Sequence, residues 1–270
     1  METGTLTCIW LPGYSKAISP TGFFLADPPF VVCFLAFLKL LFGGELILFQ
    51  VVPILLESAS AMLAYLLLRE WKNRAAFLAL VIYLFSFSVL STSDYFTGVQ
   101  LVSFFMLSGI FLWEKKMNFC SGFFWSLAVL VKLYAFFGLL GFLAAIFTRR
   151  GDAKKIGRFI SGGVVGGMIF FLPFLILSFG KVWQYLIIHQ FNRPPGIPKS
   201  QILSFYVKRE WLLIIGGILG AIVSWKKIII FPLLFLASFF LVFQDLYYLY
   251  LNSFFFMMVI LTVYFLGWLW

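Results

Sequence analysis

Apolar residues fall along this chain in long blocks, parted by short clusters of Lys, Arg, Asn, Gly and Pro. A helix that crosses the hydrocarbon of a bilayer needs about 20 mostly apolar residues. Blocks of that kind run from Leu46 to Leu68, Ala75 to Ser91, Thr97 to Trp113, Phe159 to Ser178, Trp211 to Ser224, Ile228 to Phe243 and Ser253 to Trp270. Phe119 to Phe147 is too long for one straight crossing and is interrupted by Lys132, so it reads as two short spans meeting near Lys132 to Tyr134. Pro173 predicts a kink in its block, because proline has no amide to donate and its ring clashes with the preceding turn. The pattern predicts an all-α fold, a polytopic transmembrane bundle of about eight spans.

Two segments break the pattern. Pro29 to Phe42 is apolar but too short to span, carries Lys39 and stops at Gly43-Gly44; it reads as a juxtamembrane helix lying on or dipping into the membrane face. Residues 1–27 form a short segment without a span, and METGTLTCIWLPGYSKAISPTG has neither the basic start nor the apolar core of a signal peptide. The organisation expected is therefore residues 1–27, then a transmembrane domain over 28–270, with the juxtamembrane helix at 29–42 and a long outer loop at 180–210. In that loop Val182 to Phe191 reads as an amphipathic interfacial helix, and Pro194, Pro195, Gly196 and Pro198 forbid regular helix.

Composition agrees. Of 270 residues, 63% are hydrophobic and 11% charged, against about 25% charged in soluble domains, so no water-facing surface can be built. The net charge of +10 is a matter of topology, not of nucleic-acid binding. Arg69, Lys72 and Arg74; Lys115 and Lys116; Arg149, Arg150, Lys154, Lys155 and Arg158; and Lys226 and Lys227 all fall on one side of the expected bundle. The positive-inside bias makes that side cytoplasmic, which places the chain in the cell membrane with a cytoplasmic C-terminus. Cys8, Cys33 and Cys120 are too scattered to form a disulfide or metal framework.

A few polar residues stand where chemistry is plausible. Lys132 lies inside an apolar run, where it either snorkels from the end of a short helix or contacts an anion such as a lipid-linked phosphate. Asp94 sits in STSDYFTG and Asp27 in LADPPF, each readable as a cap or turn residue or as a functional carboxylate. Glu57, inside its span, either pairs with a basic group or stays protonated. His189 and Arg193 belong to the outer loop with Lys199, Lys208 and Arg209, and arginine can hold phosphate through two parallel hydrogen bonds. No cofactor is evident, and a divalent metal is left open.

Several segments, in order, resemble the GT-C superfamily of polytopic glycosyltransferases, which use polyprenyl-phosphate-linked sugars. ADPPFVVCFLAFLKLLFG is similar to its Pro-Pro juxtamembrane helix, LILFQVVPILLESASAMLAYLLLRE to the span after it, and STSDYFTGVQLVSFFMLSGIFLW to a hairpin with an Asp-bearing outer turn. CSGFFWSLAVLVKLYAFFGLLGF is similar to a stretch in which a helix reaches a luminal Lys, and HQFNRPPGIPKSQIL to a His-and-Arg outer loop of mannosyltransferase-like members. The resemblance covers roughly Asp27 to Leu203. It implies a polyprenyl-phosphate sugar as donor, with Lys132, His189 and Arg193 binding the donor phosphate, Asp94 and Tyr134 lining the cavity, and an acid acting as base. The chain departs from the pattern at its start, where such members carry a spanning helix and a long outer loop with the catalytic acid before the Pro-Pro helix. Either Asp27 takes over as base, or the chain is a truncated or inactive relative. The rival expectations are a transporter or lipid flippase with an anion site, and a non-catalytic subunit for a membrane partner.

Overall fold

The computed structural model describes residues 29–43, 46–92, 96–148, 152–184, 188, 198–243 and 251–270. Twelve helices and no strand occur among them: α1 (Pro29–Phe42), α2 (Leu46–Glu70), α3 (Leu78–Leu84), α4 (Phe87–Thr92), α5 (Val99–Glu114), α6 (Asn118–Val131), α7 (Ala135–Thr148), α8 (Ala153–Phe170), α9 (Leu172–Trp183), α10 (Lys199–Val223), α11 (Ile230–Val242) and α12 (Asn252–Leu269). The fold is the all-α helical bundle that the hydrophobic pattern predicts. Gln50–Glu70 and Asn252–Leu269 are long and apolar enough to cross a membrane, and Val99–Glu114, Asn118–Val131, Ala135–Thr148 and Ile230–Val242 are shorter apolar helices. Large apolar side chains such as Leu40, Phe85, Ile176, Leu241 and Val242 face outward. So many exposed large apolar side chains suit a surface that meets lipid.

The helix α12 lies at the centre, with Phe255 to Leu261 buried, and packs against α10, α5, α3 and α2. Around it α6 pairs with α5 and α8, α7 with α11, and α2 with α3 and α5. Helices gain no hydrophobic drive for associating in lipid, so they need close backbone approach through small residues. The α6–α8 pair shows this. A Cβ added to Gly122 would overlap the carbonyl oxygen of Phe159, and one on Gly162 that of Phe119. Gly220 of α10 meets the backbone of Leu261 in the same way.

Helix boundaries differ from expectation in three places. The block from Ala75 to Ser91 is two helices, because α3 stops at Leu84, where the Ser86 hydroxyl donates to the Tyr83 carbonyl (2.9 Å). Lys154, Lys155 and Arg158 belong to the first turns of α8 instead of a loop; Asp152 caps that helix by accepting from the Lys154 amide (3.0 Å). The helix expected to start at Trp211 starts at Lys199, and Lys181 to Trp183 belong to α9, so both flanks of the polar segment at 180–210 are helical. Pro198 precedes the first helical residue of α10, and most of the segment expected as an interfacial helix lies outside the described residues. The two short helices meeting at Lys132 to Tyr134, the break before Pro173 and the helix over Pro29–Phe42 stand as the pattern predicts.

One end of the bundle gathers the cationic turns. Lys115 forms a salt bridge with Glu70, Arg74 donates to the carbonyl of Trp270 (3.2 Å), and Lys227 lies 4.8 Å from the centre of the Trp71 ring. Asn73 ties the same turn to α12 by donating to Tyr264 (3.1 Å). The helix α6 starts beside this end at Asn118, and its 14 residues carry it about 21 Å away to Lys132.

The glycine contact is directly testable. Gly122→Ala forces a methyl group into the backbone of α8 and should cost about 1–3 kcal/mol, read as a lowered unfolding temperature in detergent. Gly167, on the same α8 but with nothing within 4 Å of an added Cβ, should tolerate Ala or gain up to about 1 kcal/mol of helix propensity. Equal losses from both substitutions would show that close approach is not what holds α6 to α8.

Candidate functional site

The site is built where α6 stops. Lys132 leaves the helix in an extended conformation (φ −147°, ψ 127°). Its amide still donates to Ala128 (3.1 Å) and its carbonyl accepts from Ala135 (3.0 Å), and the carbonyls of Leu133 and Tyr134 accept from Phe136 and Phe137, so all three carbonyls of the break are paired. The Lys132 side chain is 7% exposed and so lies within the protein, not snorkelled to its surface. It runs beside Gly98, which opens α5 in the left-handed region (φ 82°), a conformation that costs glycine nothing. A Cβ at Gly98 would lie 3.6 Å from Lys132 Cε and 3.6 Å from a methyl group of Val31 in α1. The start of α1, the turn before α5 and the α6–α7 break therefore converge on one junction. Phe30 braces it, with ring centroids 5.6 Å from Phe105 and 5.0 Å from Phe170, and Phe34 stacks on Phe96 at 5.7 Å.

Tyr134, two residues beyond Lys132, shares a hydrogen bond with Ser253 at the start of α12 (2.8 Å) and has its ring 6.0 Å from that of Phe240. Next to Ser253, Asn252 donates to one oxygen of Glu57 (3.0 Å), while the Tyr83 hydroxyl donates to the other (2.8 Å). Glu57 is 2% exposed. Its partners are neutral donors, not the basic group that the sequence left open. This network ties α2, α3 and α12 together beside the junction.

A second anchor joins α10 to α4. Glu210 sits at a kink in α10 (φ −120°, ψ 22°) and is buried, and its carboxylate accepts from the amide of Ser88 (2.9 Å), in the first turn of α4. A carboxylate there satisfies an amide that the helix leaves without an internal partner, and it meets the positive end of the helix dipole. The neighbouring Arg209 lies over the rings of Phe205 and Phe87, 3.9 and 4.9 Å from their centres. The α4 helix leads directly into the stretch that carries Asp94.

Of the residues singled out from sequence, Lys132 and Tyr134 flank the break as expected. Asp27, Asp94, His189 and Arg193 lie outside the described residues. Among the described residues no three His, Cys, Asp or Glu side chains gather as a metal centre would require. Sequence reasoning missed Glu210, Tyr83 and Asn252. A lone carboxylate within reach of an apolar run was the signal available for Glu210; Tyr83 and Asn252 gave none, since their positions depend on packing.

The family model of glycosyltransferase family 87 matches residues 24–197, more than half of the chain. No curated protein and no solved structure matches it.

The Glu210 anchor predicts a graded response. Glu210→Ala removes the acceptor of the Ser88 amide and should cost about 1–2 kcal/mol in thermal unfolding. Glu210→Gln keeps a carbonyl oxygen there and should lose clearly less. An Ala variant as stable as wild type would mean that the contact does not hold α4.

Proposed function

The chain belongs to glycosyltransferase family 87, a family of GT-C-type membrane glycosyltransferases, and from that premise we propose that it moves a sugar from a polyprenyl-phosphate donor to an acceptor hydroxyl at the non-cytoplasmic face of the cell membrane. The acceptor oxygen forms a bond to the anomeric carbon, the bond from that carbon to the phosphate oxygen breaks, the lipid phosphate leaves, and the hydroxyl proton passes to a carboxylate. Two effects carry such a step: a base placed at the hydroxyl, and cations placed where negative charge develops on the leaving phosphate.

The observation that carries the reading is the buried cation at the α6–α7 break. Two main-chain hydrogen bonds fix the Lys132 backbone and its side chain runs beside Gly98, at the end of the bundle remote from the cationic turns. In this reading Lys132, Arg193 and His189 contact the donor phosphate, Asp94 and Tyr134 line the cavity, and Asp27 is the base. Each acid is four residues from a described residue at the junction, Asp27 from Val31 and Asp94 from Gly98, a chain reach of at most ~14 Å. Sidedness rests on the cationic end formed around Arg74, Lys115 and Lys227, which the positive-inside bias assigns to the cytoplasm with the C-terminus. The remaining helices then cross the bilayer several times.

Labelled polyprenyl-phosphate mannose given to the purified full chain in liposomes tests this. Wild type should transfer label to an acceptor lipid or glycan. Lys132→Ala and Arg193→Ala should each lower kcat by about 10²–10³, and Asp27→Asn should abolish transfer. Vectorial uptake without transfer would replace the enzyme with a transporter, and reporters placing residues 149 and 189 in one compartment would defeat the topology.

A further inference from the structure

The first three turns of α10 carry a groove of about 390 Å³ lined by Ser200, Gln201, Ser204, Phe205, Lys208 and Arg209. The lining residues are two adjacent stripes at four-residue spacing, so all six stand on one helical face. That face carries two cations and no acid. The nearest carboxylate in sequence, Glu210, turns away to accept from the Ser88 amide, and Lys199 is committed elsewhere, donating to the carbonyl of Leu241 (2.6 Å). Arg209 is stacked on Phe205 and Phe87, which fixes its guanidinium without consuming its in-plane N–H donors.

The residues beyond the groove on α10 identify its occupant. Trp211, half exposed, follows directly after the kink at Glu210, and past it Leu212, Ile215, Leu219 and Ile222 form an exposed apolar lane over the next three turns. Tryptophan favours the headgroup level of a bilayer. A cationic, hydroxyl-bearing groove followed along the same helix by such a residue and an exposed apolar lane matches a molecule with an anionic head and a hydrocarbon tail. We propose that this face of α10 binds an acidic glycerophospholipid of the surrounding leaflet, its phosphate held by Lys208 and Arg209, its polar head by Ser200, Gln201 and Ser204, and one acyl chain laid along Leu212 to Ile222. The groove shares no lining residue with the contacts at the Lys132 junction, and lipid binding there does not depend on sugar transfer. Because the same turn of α10 anchors α4 through Glu210, an occupied groove also braces the helix that leads to Asp94.

Native mass spectrometry of the full chain, with phosphatidylglycerol and phosphatidylcholine as probes, reads the site directly. Wild type should retain phosphatidylglycerol in preference to phosphatidylcholine. Lys208→Ala should weaken that retention about fivefold, the worth of one cation at an anionic lipid surface, and Lys208→Arg should restore it. Lys208 is exposed, so neither change threatens folding. Equal retention of the two lipids, or retention unchanged by Lys208→Ala, overturns the proposal. So does retention of polyprenyl phosphate with no retention of phosphatidylglycerol, which would make the groove part of the donor site. Failure of sugar transfer alone leaves these readouts intact and bears only on the enzymatic reading.

Discussion

A helix that stops inside hydrocarbon leaves amides and carbonyls that no water can reach, and each unsatisfied group costs several kcal/mol. The buried breaks among the described residues face the same cost, and the way they meet it shapes the site. At Lys132 the backbone turns extended for a single residue while its amide and carbonyl remain paired with Ala128 and Ala135. Between α3 and α4 the Ser86 hydroxyl and the Glu210 carboxylate supply what the helix ladder cannot. At Phe171 the amide keeps a bond to Gly167, so α9 can begin beside Pro173. Breaks tolerated in this way let polar side chains enter the interior at fixed points.

Close packing sets where those points fall. Gly122 and Gly162 let α6 lie against α8, and Gly109 accommodates the indole of Trp125, so that α5 and α6 pack face to face. Ser121 locks that register by donating to the carbonyl of Gly109 (2.6 Å). The length of α6 between this contact and its last residue then fixes the height of Lys132 above the cationic end. A register shift of one turn would move Lys132 by about 5.4 Å and take it away from Gly98.

Fold and site were unequally legible in the sequence. The fold was written in the length of apolar blocks and in Lys132, which interrupts a block too long for one straight crossing. The division of α3 from α4 was hidden, because LALVIYLFSFSVLST contains neither Gly nor Pro and its break depends on Glu210, more than a hundred residues away. The early start of α10 was hidden for a related reason: its first turns are polar because they present a groove, and polarity was read as loop. Lys132 stood out because a charge is out of place in an apolar run, and Tyr134 was noted with it because the two short spans were expected to meet there. Glu57 was conspicuous too, yet its partners Tyr83 and Asn252 come from two distant segments that only tertiary packing unites.

The carboxylates narrow the search for a base by their structural commitments. Glu57 accepts from Tyr83 and Asn252, Glu210 from Ser88, Asp152 caps α8, and Glu70 pairs with Lys115 at the cationic end. Withdrawing any of them to accept a proton from a substrate would leave a buried donor, a cap or a cation without its partner. Glu114 closes α5 at the same end as Lys115, far along the bundle from Lys132. Of the ten acids in the chain, five are thereby removed, and Asp27, Glu45, Asp94 and Asp245 remain with Glu2. Asp27 and Asp94 are the two whose neighbours in sequence meet at Lys132, so the proposed reaction would draw its base from acids near that junction without spending a carboxylate that the fold already needs.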